Sequence, residues 1–356
     1  MDWDIFKNKK ILVTGHTGFK GSWLIRWLSL LGARVVGISK DIPTYPSNYE
    51  IIRNSTNFKD IRLDILNKEV LKKTISEIKP NMIFHLAAQS IVKESFNNPY
   101  ETIDINVMGS LNILEACYEL NSNLSILMIT SDKCYRNRSD RRAFIESDEL
   151  GGKDPYSASK AAADLLIQSV YSVYSNSRKD IFKLAICRAG NVIGGGDWSN
   201  ARLIPDCISK WNLKEPVLIR SPESIRPWQH VLDSLGGYLV LMEKINKIDS
   251  LNGQPFNFGP RQNSEVTVEK LVDKLANLWG ENAKYHQISP GFEEMRFLNL
   301  DSSKAKKVLN WESVLSLDET INFTIDWYKL YFQNNIEQLL TVSDKQIKLT
   351  QQKLGK

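Results

Sequence analysis

The sequence predicts an α/β protein, a doubly wound parallel sheet with a smaller mixed α/β domain after it. Three observations carry that prediction. Short apolar runs alternate with helical stretches through the first half, which calls for parallel strands joined by crossover helices. The first strand and helix flank three glycines, Gly15, Gly18 and Gly21, spaced Gly-x-x-Gly-x-x-Gly. The second half abandons the alternation for loops and short elements, with Trp211, Trp228, Trp279, Trp311 and Trp327 spread through it.

Ile11 to Val13 reads as a buried strand. After the glycines, Leu24, Trp27, Leu28 and Leu31 recur at helical spacing, and Gly32 closes the helix. Gly15 suits a tight turn, Gly18 lets backbone approach a diphosphate, and Gly21 lets the helix pack closely on the strand. This is the Rossmann dinucleotide arrangement, with Thr17 and Phe19 inside the same turn. Free N–H groups at the helix start would hold phosphate charge. Arg34 to Ser39 reads as the second strand and ends at Lys40-Asp41. An acidic residue here accepts from the adenosine ribose of NAD, while a basic one pairs with the phosphate of NADP. Asp41 is the expected ribose ligand, so NAD is the expected cofactor.

Asp64 follows a short strand at Ile61 to Leu63. With Ile65 it lies beside the adenine, or Asp64 caps a helix from Lys68 to Ile78. Met82 to Ala88 reads as another strand, and Leu86, Ala87 and Ala88 leave room for a cofactor. His85 is expected to be packed in the core. A helix follows from Val107 to Leu120. Ser125 to Ile129 is the next strand and runs into Thr130-Ser131-Asp132-Lys133-Cys134-Tyr135. A polar loop, a helix opened by Pro155 and a strand at Leu184 to Arg188 complete the alternation. Ligands of such sheets bind at the carboxyl ends of strands, so Gly15, Asp41, Asp64, Ala87, Ser131 and Asp132 should converge.

The 356 residues suit one large or two coupled domains. The expected division is 1–190 for cofactor, with part of 230–260 returning to it, 191–332 for substrate, and 333–356 as a polar tail, a frayed helix or disordered. A net charge of +5, from 46 basic and 41 acidic residues, suits small anions and gives no case for nucleic acid. The longest apolar runs are too short for a membrane span, and no signal peptide opens the chain. The four cysteines, Cys117, Cys134, Cys187 and Cys207, are widely separated, which fits a reducing cytoplasm. Histidines are also unclustered, so no metal site is expected.

Tyr156 and Lys160 form a Tyr-x-x-x-Lys pair, one helical turn apart on one face. An ammonium beside a phenol favours phenolate and lowers its pKa from about 10. Such a group can take a proton from an alcohol as the alcohol is oxidised. The glycine turn, Ser131, Tyr156 and Lys160 together resemble the extended short-chain dehydrogenase/reductases. Asp132-Lys133 after Ser131 resembles their nucleotide-sugar 4,6-dehydratase branch. Four runs resemble the CDP-glucose 4,6-dehydratases in particular. They are Gly15 to Trp23, Thr130 to Tyr135, Asn191-Val192-Ile193-Gly194-Gly195-Gly196-Asp197-Trp198, and Ser224 to Val231. The resemblance spans about Phe6 to Trp327 and departs around Met295-Arg296-Phe297.

The resemblance implies a reaction in which C4 of a hexose is oxidised, water leaves across C5 and C6, and the cofactor ends unchanged. Tyr156 would be the C4-hydroxyl base, Lys160 its partner and a ligand of the nicotinamide ribose, and Ser131 a donor to O4. Asp132 would be the acid at C6, which requires a protonated, buried carboxyl, and Lys133 the base at C5. Gln89, Asn106, Asn191, Arg202, Leu203, Arg226 and Arg296 are the implied substrate ligands, with Arg202 and Arg226 on the diphosphate. Trp228 either packs in the core or stacks on the base. The implied substrate is CDP-glucose, and the product a precursor of surface-polysaccharide deoxysugars. The implied assembly is a homodimer or homotetramer, pairing through the helices Val107 to Leu120 and Tyr156 to Tyr171. A 4-epimerase or reductase on the same scaffold, or a non-enzymatic NAD-binding regulator, remain the alternatives.

Overall fold

The protein is described by a computed structural model covering residues 1–120, 123–137, 142–177, 182–261, 266–288 and 298–356. Six strands of the main sheet lie before residue 190: β1 (Lys10–Thr14), β2 (Arg34–Ser39), β3 (Phe58–Arg62), β4 (Met82–His85), β5 (Leu124–Ile129) and β6 (Phe182–Ala189). A seventh, Pro255–Phe258, comes from the second half and pairs with β6. The spatial order is Pro255–Phe258, β6, β5, β4, β1, β2, β3, and every pairing is parallel. The chain runs outward from β1 through β2 and β3, then returns to β4 on the other side of β1. That reversal leaves a crevice at the carboxyl ends of β1 and β4.

Apolar side chains fill both faces of the sheet, because successive residues of a strand point to opposite sides. Ile11, Val13, Phe84 and Leu127 enter one core cluster, while Leu12, Ile83, Ile126 and Met128 enter the other. Helix α1 (Phe19–Leu30) covers the first face with Trp23, Leu24, Trp27 and Leu28, all buried. Helix Val231–Lys247 lies on the same face, and helices Lys68–Ile78, Gly109–Tyr118 and Pro155–Ser177 supply the other.

The helix expected over Val107 to Leu120 differs in form. Helix Pro99–Ile103 passes through a π-helical turn, Asp104–Met108, before Gly109–Tyr118. The Gly109 N–H reaches back five residues to the Asp104 carbonyl, and the widened turn directs Asn106 inward. Outside the main sheet, three two-stranded pairings hold the substrate side: Val192–Ile193 with Gln229–His230, Ile225–Arg226 with Val266–Thr267, and Val217–Ile219 with Tyr285–Gln287.

The polar tail, expected as a frayed helix or disordered, is a helix, Ile336–Leu354, and it is docked on α1 and on helix Leu317–Phe332. Leu339 and Ile347 are fully buried, and Arg26 of α1 grips Asp344 through two hydrogen bonds of 2.7 and 2.6 Å. Trp228 is also settled on the packing side: it is buried within the main core cluster.

Candidate active site

The glycine turn is built so that no side chain fits. Gly15 has φ +73°, and a Cβ there would lie 2.7 Å from the Ala87 nitrogen. At Gly21 a Cβ would sit 2.1 Å from the Gly15 carbonyl oxygen, so only glycine lets α1 start this close to β1. Gly18 precedes the helix and offers no side chain to cap it. The first-turn N–H groups therefore face the crevice without an internal cap. Phe19 opens α1, and Thr17 Oγ1 donates to the Asp41 carbonyl at 2.7 Å, tying the turn to the end of β2.

At the end of β2 the two charged residues separate. Lys40 pairs with Asp64 at 3.1 Å, which leaves Asp41 exposed at the rim. The alternative role for Asp64 as a helix cap is corrected here. Asn67 caps helix Lys68–Ile78 by accepting from Val70 N, while Asp64 accepts from Leu66 N at 3.0 Å. Ile65 is buried and packs against Gly109. Leu86, Ala87 and Ala88 follow β4, with Leu86 N and Ala87 N bonded to Thr14. His85 is a core residue: Thr14 and Ser110 flank its ring, and burial pulls its pKa down to about 3.

Ser131, Asp132 and Lys133 leave the end of β5 as a single 3₁₀ turn, Asp132–Cys134. The Ser131 hydroxyl accepts from Lys133 N at 3.2 Å and donates to Asp132 Oδ1 at 2.9 Å. Asp132 is buried, and its Oδ2 has no hydrogen-bond partner among the described residues. Burial raises its pKa above the ordinary carboxylate range, opposed by the Lys133 and Lys20 charges and the Ser131 hydroxyl. Lys133 is half-buried on the same turn.

Tyr156 and Lys160 sit one turn apart on helix Pro155–Ser177, both buried. Burial pushes the Tyr156 phenol up to about 12, with the Ser131 hydroxyl and the Arg202 cation pulling against it. Burial also pulls Lys160 down to about 8. Desolvation thus outweighs the neighbouring charges in the protein alone, contrary to the lowered phenol expected from the Tyr-x-x-x-Lys spacing.

Two of the implied substrate ligands face inward. Asn106 is buried; it donates to the Gln89 carbonyl at 3.0 Å and Ser159 Oγ at 2.9 Å and accepts from Gln89 N at 2.9 Å. The Gln89 amide donates to Thr102 Oγ1 at 2.9 Å and the Ile91 carbonyl at 3.1 Å. These bonds brace the loop after β4 against the Tyr156 helix. Arg202 stands before helix Leu203–Asn212, paired with Asp197 at 3.0 Å and facing Tyr156. Asn191 is half-buried beyond β6, and Arg226 lies on the strand Ile225–Arg226, donating to the Ile225 carbonyl. Arg296 falls outside the described residues.

Three groups at this site escaped sequence reasoning. Lys20, the second residue of α1, donates to Tyr238 Oη at 3.2 Å and lies in the field of Asp132, Lys160 and Arg202. Burial pulls it down to about 8. Its signal was a charged residue on the packed start of an apolar helix. Asp197 holds Arg202, five residues away. Asp164 and Arg188 form a buried pair behind Ser131 and Lys160, signalled by a charge at the end of apolar β6 and by the 156–160–164 spacing.

Known proteins match this arrangement along nearly the whole chain. The GDP-mannose 4,6 dehydratase family profile matches residues 12–324. The chain is 40% identical over 351 residues to a CDP-glucose 4,6-dehydratase of Salmonella typhimurium strain LT2, covering 98% of this chain and 97% of that one. A solved dTDP-glucose 4,6-dehydratase of Bacillus anthracis in complex with NAD superposes with TM-score 0.76 at 22% identity, covering 94% of this chain and 99% of that one. A solved UDP-glucose 4-epimerase of Stenotrophomonas maltophila gives TM-score 0.81 at 19% identity, covering 92% and 100%. The structural likenesses bear on the fold alone, whereas the profile match runs across the stretches that hold the glycine turn and the Ser131, Tyr156 and Lys160 cluster. The chain belongs to the GDP-mannose 4,6 dehydratase family.

Proposed function

We propose that the protein is an NAD-dependent CDP-glucose 4,6-dehydratase, converting CDP-glucose to CDP-4-dehydro-6-deoxy-D-glucose. The observation that carries the reaction class is Asp132: a buried carboxyl with a raised pKa and an unpartnered oxygen, one residue from Ser131 and facing Tyr156. An epimerase on this scaffold has no use for an acid at C6. The 40% identity to the Salmonella enzyme supports CDP-glucose as the substrate.

The glycine turn fits the diphosphate of NAD, since a Cβ at Gly15 or Gly21 would collide with backbone at the cradle. Gly15, Thr17, Gly18, Phe19 and Gly21 would hold the diphosphate, Asp41 the adenosine ribose, Asp64 and Ile65 the adenine side, and Leu86, Ala87, Ala88, Tyr156 and Lys160 the nicotinamide end. When bound, NAD supplies the oxidation at C4 and its reversal at C6, so the sugar loses water without net oxidation. Tyr156 takes the C4-hydroxyl proton, and Ser131 orients that oxygen. Lys133 removes the C5 proton, made acidic by the adjacent ketone, and Asp132 protonates the departing C6 oxygen. Arg202 and Arg226 face the diphosphate, and Asn191 a sugar hydroxyl or phosphate.

The reading extends to a cytoplasmic homodimer. Exposed Met108 (43%), Leu165 (55%) and Val173 (61%) on the Asp104–Tyr118 and Pro155–Ser177 segments support a second copy pairing there. Mass analysis after incubation with CDP-, dTDP-, GDP- and UDP-glucose tests the function. Loss of water from CDP-glucose is expected; unchanged mass with an altered sugar would point to epimerisation and refute it.

A further inference from the structure

Behind the site lies an ion pair that makes no part of the proposed chemistry. Arg188 near the end of β6 and Asp164 on the Tyr156 helix are 1% and 0% exposed. Arg188 Nε and Nη2 donate to the two Asp164 oxygens at 2.8 and 2.7 Å, a planar fork that fixes both partners. Thr130, the residue before Ser131, donates to Asp164 Oδ2 at 2.9 Å. Tyr135, just past the catalytic turn, accepts from Arg188 Nη1 at 2.9 Å and donates to Asn257 at 2.6 Å. The same Nη1 reaches the Glu146 carbonyl at 2.9 Å. The helix of Tyr156 and Lys160 therefore holds one end of the turn that carries Ser131, Asp132 and Lys133 through Asp164 and Thr130, and β6 holds the other end through Arg188 and Tyr135.

A buried ion pair is a poor source of stability, because desolvating two charges offsets most of their attraction. Its placement between the two catalytic segments suggests another reason for it. We infer that Asp164 and Arg188 are positioning residues that keep the Ser131–Lys133 turn in register with Tyr156 and Lys160. The inference rests on the proposed function. Asp164 also acts on Lys160 through space: its charge opposes the burial that lowers the Lys160 ammonium, while Lys20 and His85 lie in the same field.

The test uses full-length protein and two readouts. Arg188→Lys keeps the cation but loses the fork, and Thr130→Val removes one bond to Asp164. Each is expected to lower kcat for CDP-glucose about tenfold, with KM and copurified NAD within about twofold of wild type. The double variant should fall no further than about thirtyfold, since both changes act through Asp164. Normal kcat in the folded single variants, a loss carried by KM, or an additive hundredfold loss would overturn the inference. The second readout needs no substrate: titration of Lys160 by NMR with carbon-13 lysine, assigned with Lys160→Met. Asp164→Asn with Arg188→Gln removes both charges at once, and the Lys160 midpoint is expected to drop below its value of about 8. An unmoved midpoint would also overturn the inference. Wild-type protein that leaves CDP-glucose unchanged would refute the proposed function, and the Lys160 titration would still decide the positioning role.

Discussion

Replacing Asp132 by Asn separates the two halves of the proposed reaction. The change keeps side-chain volume where a Cβ on Gly190 would already lie 3.3 Å from Asp132 Oδ2. The amide oxygen can still accept from Ser131, which now donates to Oδ1 at 2.9 Å. Because Oδ2 has no partner, the new amide group breaks no hydrogen bond. What is lost is an acidic proton held in place by burial. General-acid catalysis contributes about a hundredfold or more, and a hundredfold is about 2.7 kcal/mol of barrier. Oxidation at C4 should survive, because Tyr156, Lys160 and Ser131 are untouched. Rapid mixing of Asp132→Asn with CDP-glucose should show NADH absorbance building up, and quenched samples should contain the 4-keto hexose before dehydration. The pH dependence follows from the direction of the shift. A carboxyl whose folded pKa is raised is protonated below that pKa and loses its proton as pH rises through it. Wild-type elimination should therefore weaken on the alkaline side, and the variant should lack that limb. Equal loss of oxidation and elimination would mean that Asp132 positions the sugar or supports Tyr156, and the division of labour would be wrong.

Four further outcomes can be checked. Tyr156→Phe keeps a buried ring but removes the C4 base, so turnover should fall at least about a hundredfold with unchanged thermal melting; near-normal turnover would exclude Tyr156 from the reaction. Denatured protein should release NAD, since Asp41 would repel a 2′-phosphate and Lys40 is held by Asp64; finding only NADP would reverse that assignment. Gly21→Ala places a methyl 2.1 Å from the Gly15 carbonyl oxygen, so copurified NAD should drop sharply in a folded protein; full NAD content would contradict the cradle. Ile347→Ala opens a cavity under the last helix and should cost about 2–5 kcal/mol, read from denaturant midpoints, whereas a loss near zero would mean that this helix is not part of the core.

Much of the fold was legible because its constraints are local. Each glycine of the first turn answers a collision within a few residues, and each buried strand is a short apolar run. Tyr156 and Lys160 were legible because one helix face carries both. The internal bonds of Gln89 and Asn106 were not legible, because in sequence an amide side chain looks the same whether it faces a ligand or a backbone carbonyl. The Asp164–Arg188 clamp joins residues 24 apart on different elements, so no window of sequence contains it. The last helix hid behind its polarity. Its buried face includes Ser343, Gln346 and Thr350, which bond to the Leu339, Phe323 and Gln346 carbonyls at 2.8, 3.0 and 2.9 Å.

The grip of Arg26 on Asp344 spans 318 residues and joins the helix of the glycine turn to the last helix of the fold. Trp27 and its neighbours on α1 are therefore covered on their outer side only once the helix Ile336–Leu354 is in place. A contact of such separation forms late, because the intervening chain must first be ordered. The helix that opens on the diphosphate turn is thus covered on its outer side only when residues far along the chain have folded. A variant cut before residue 336 should keep its sheet assembled and leave this side of α1 exposed.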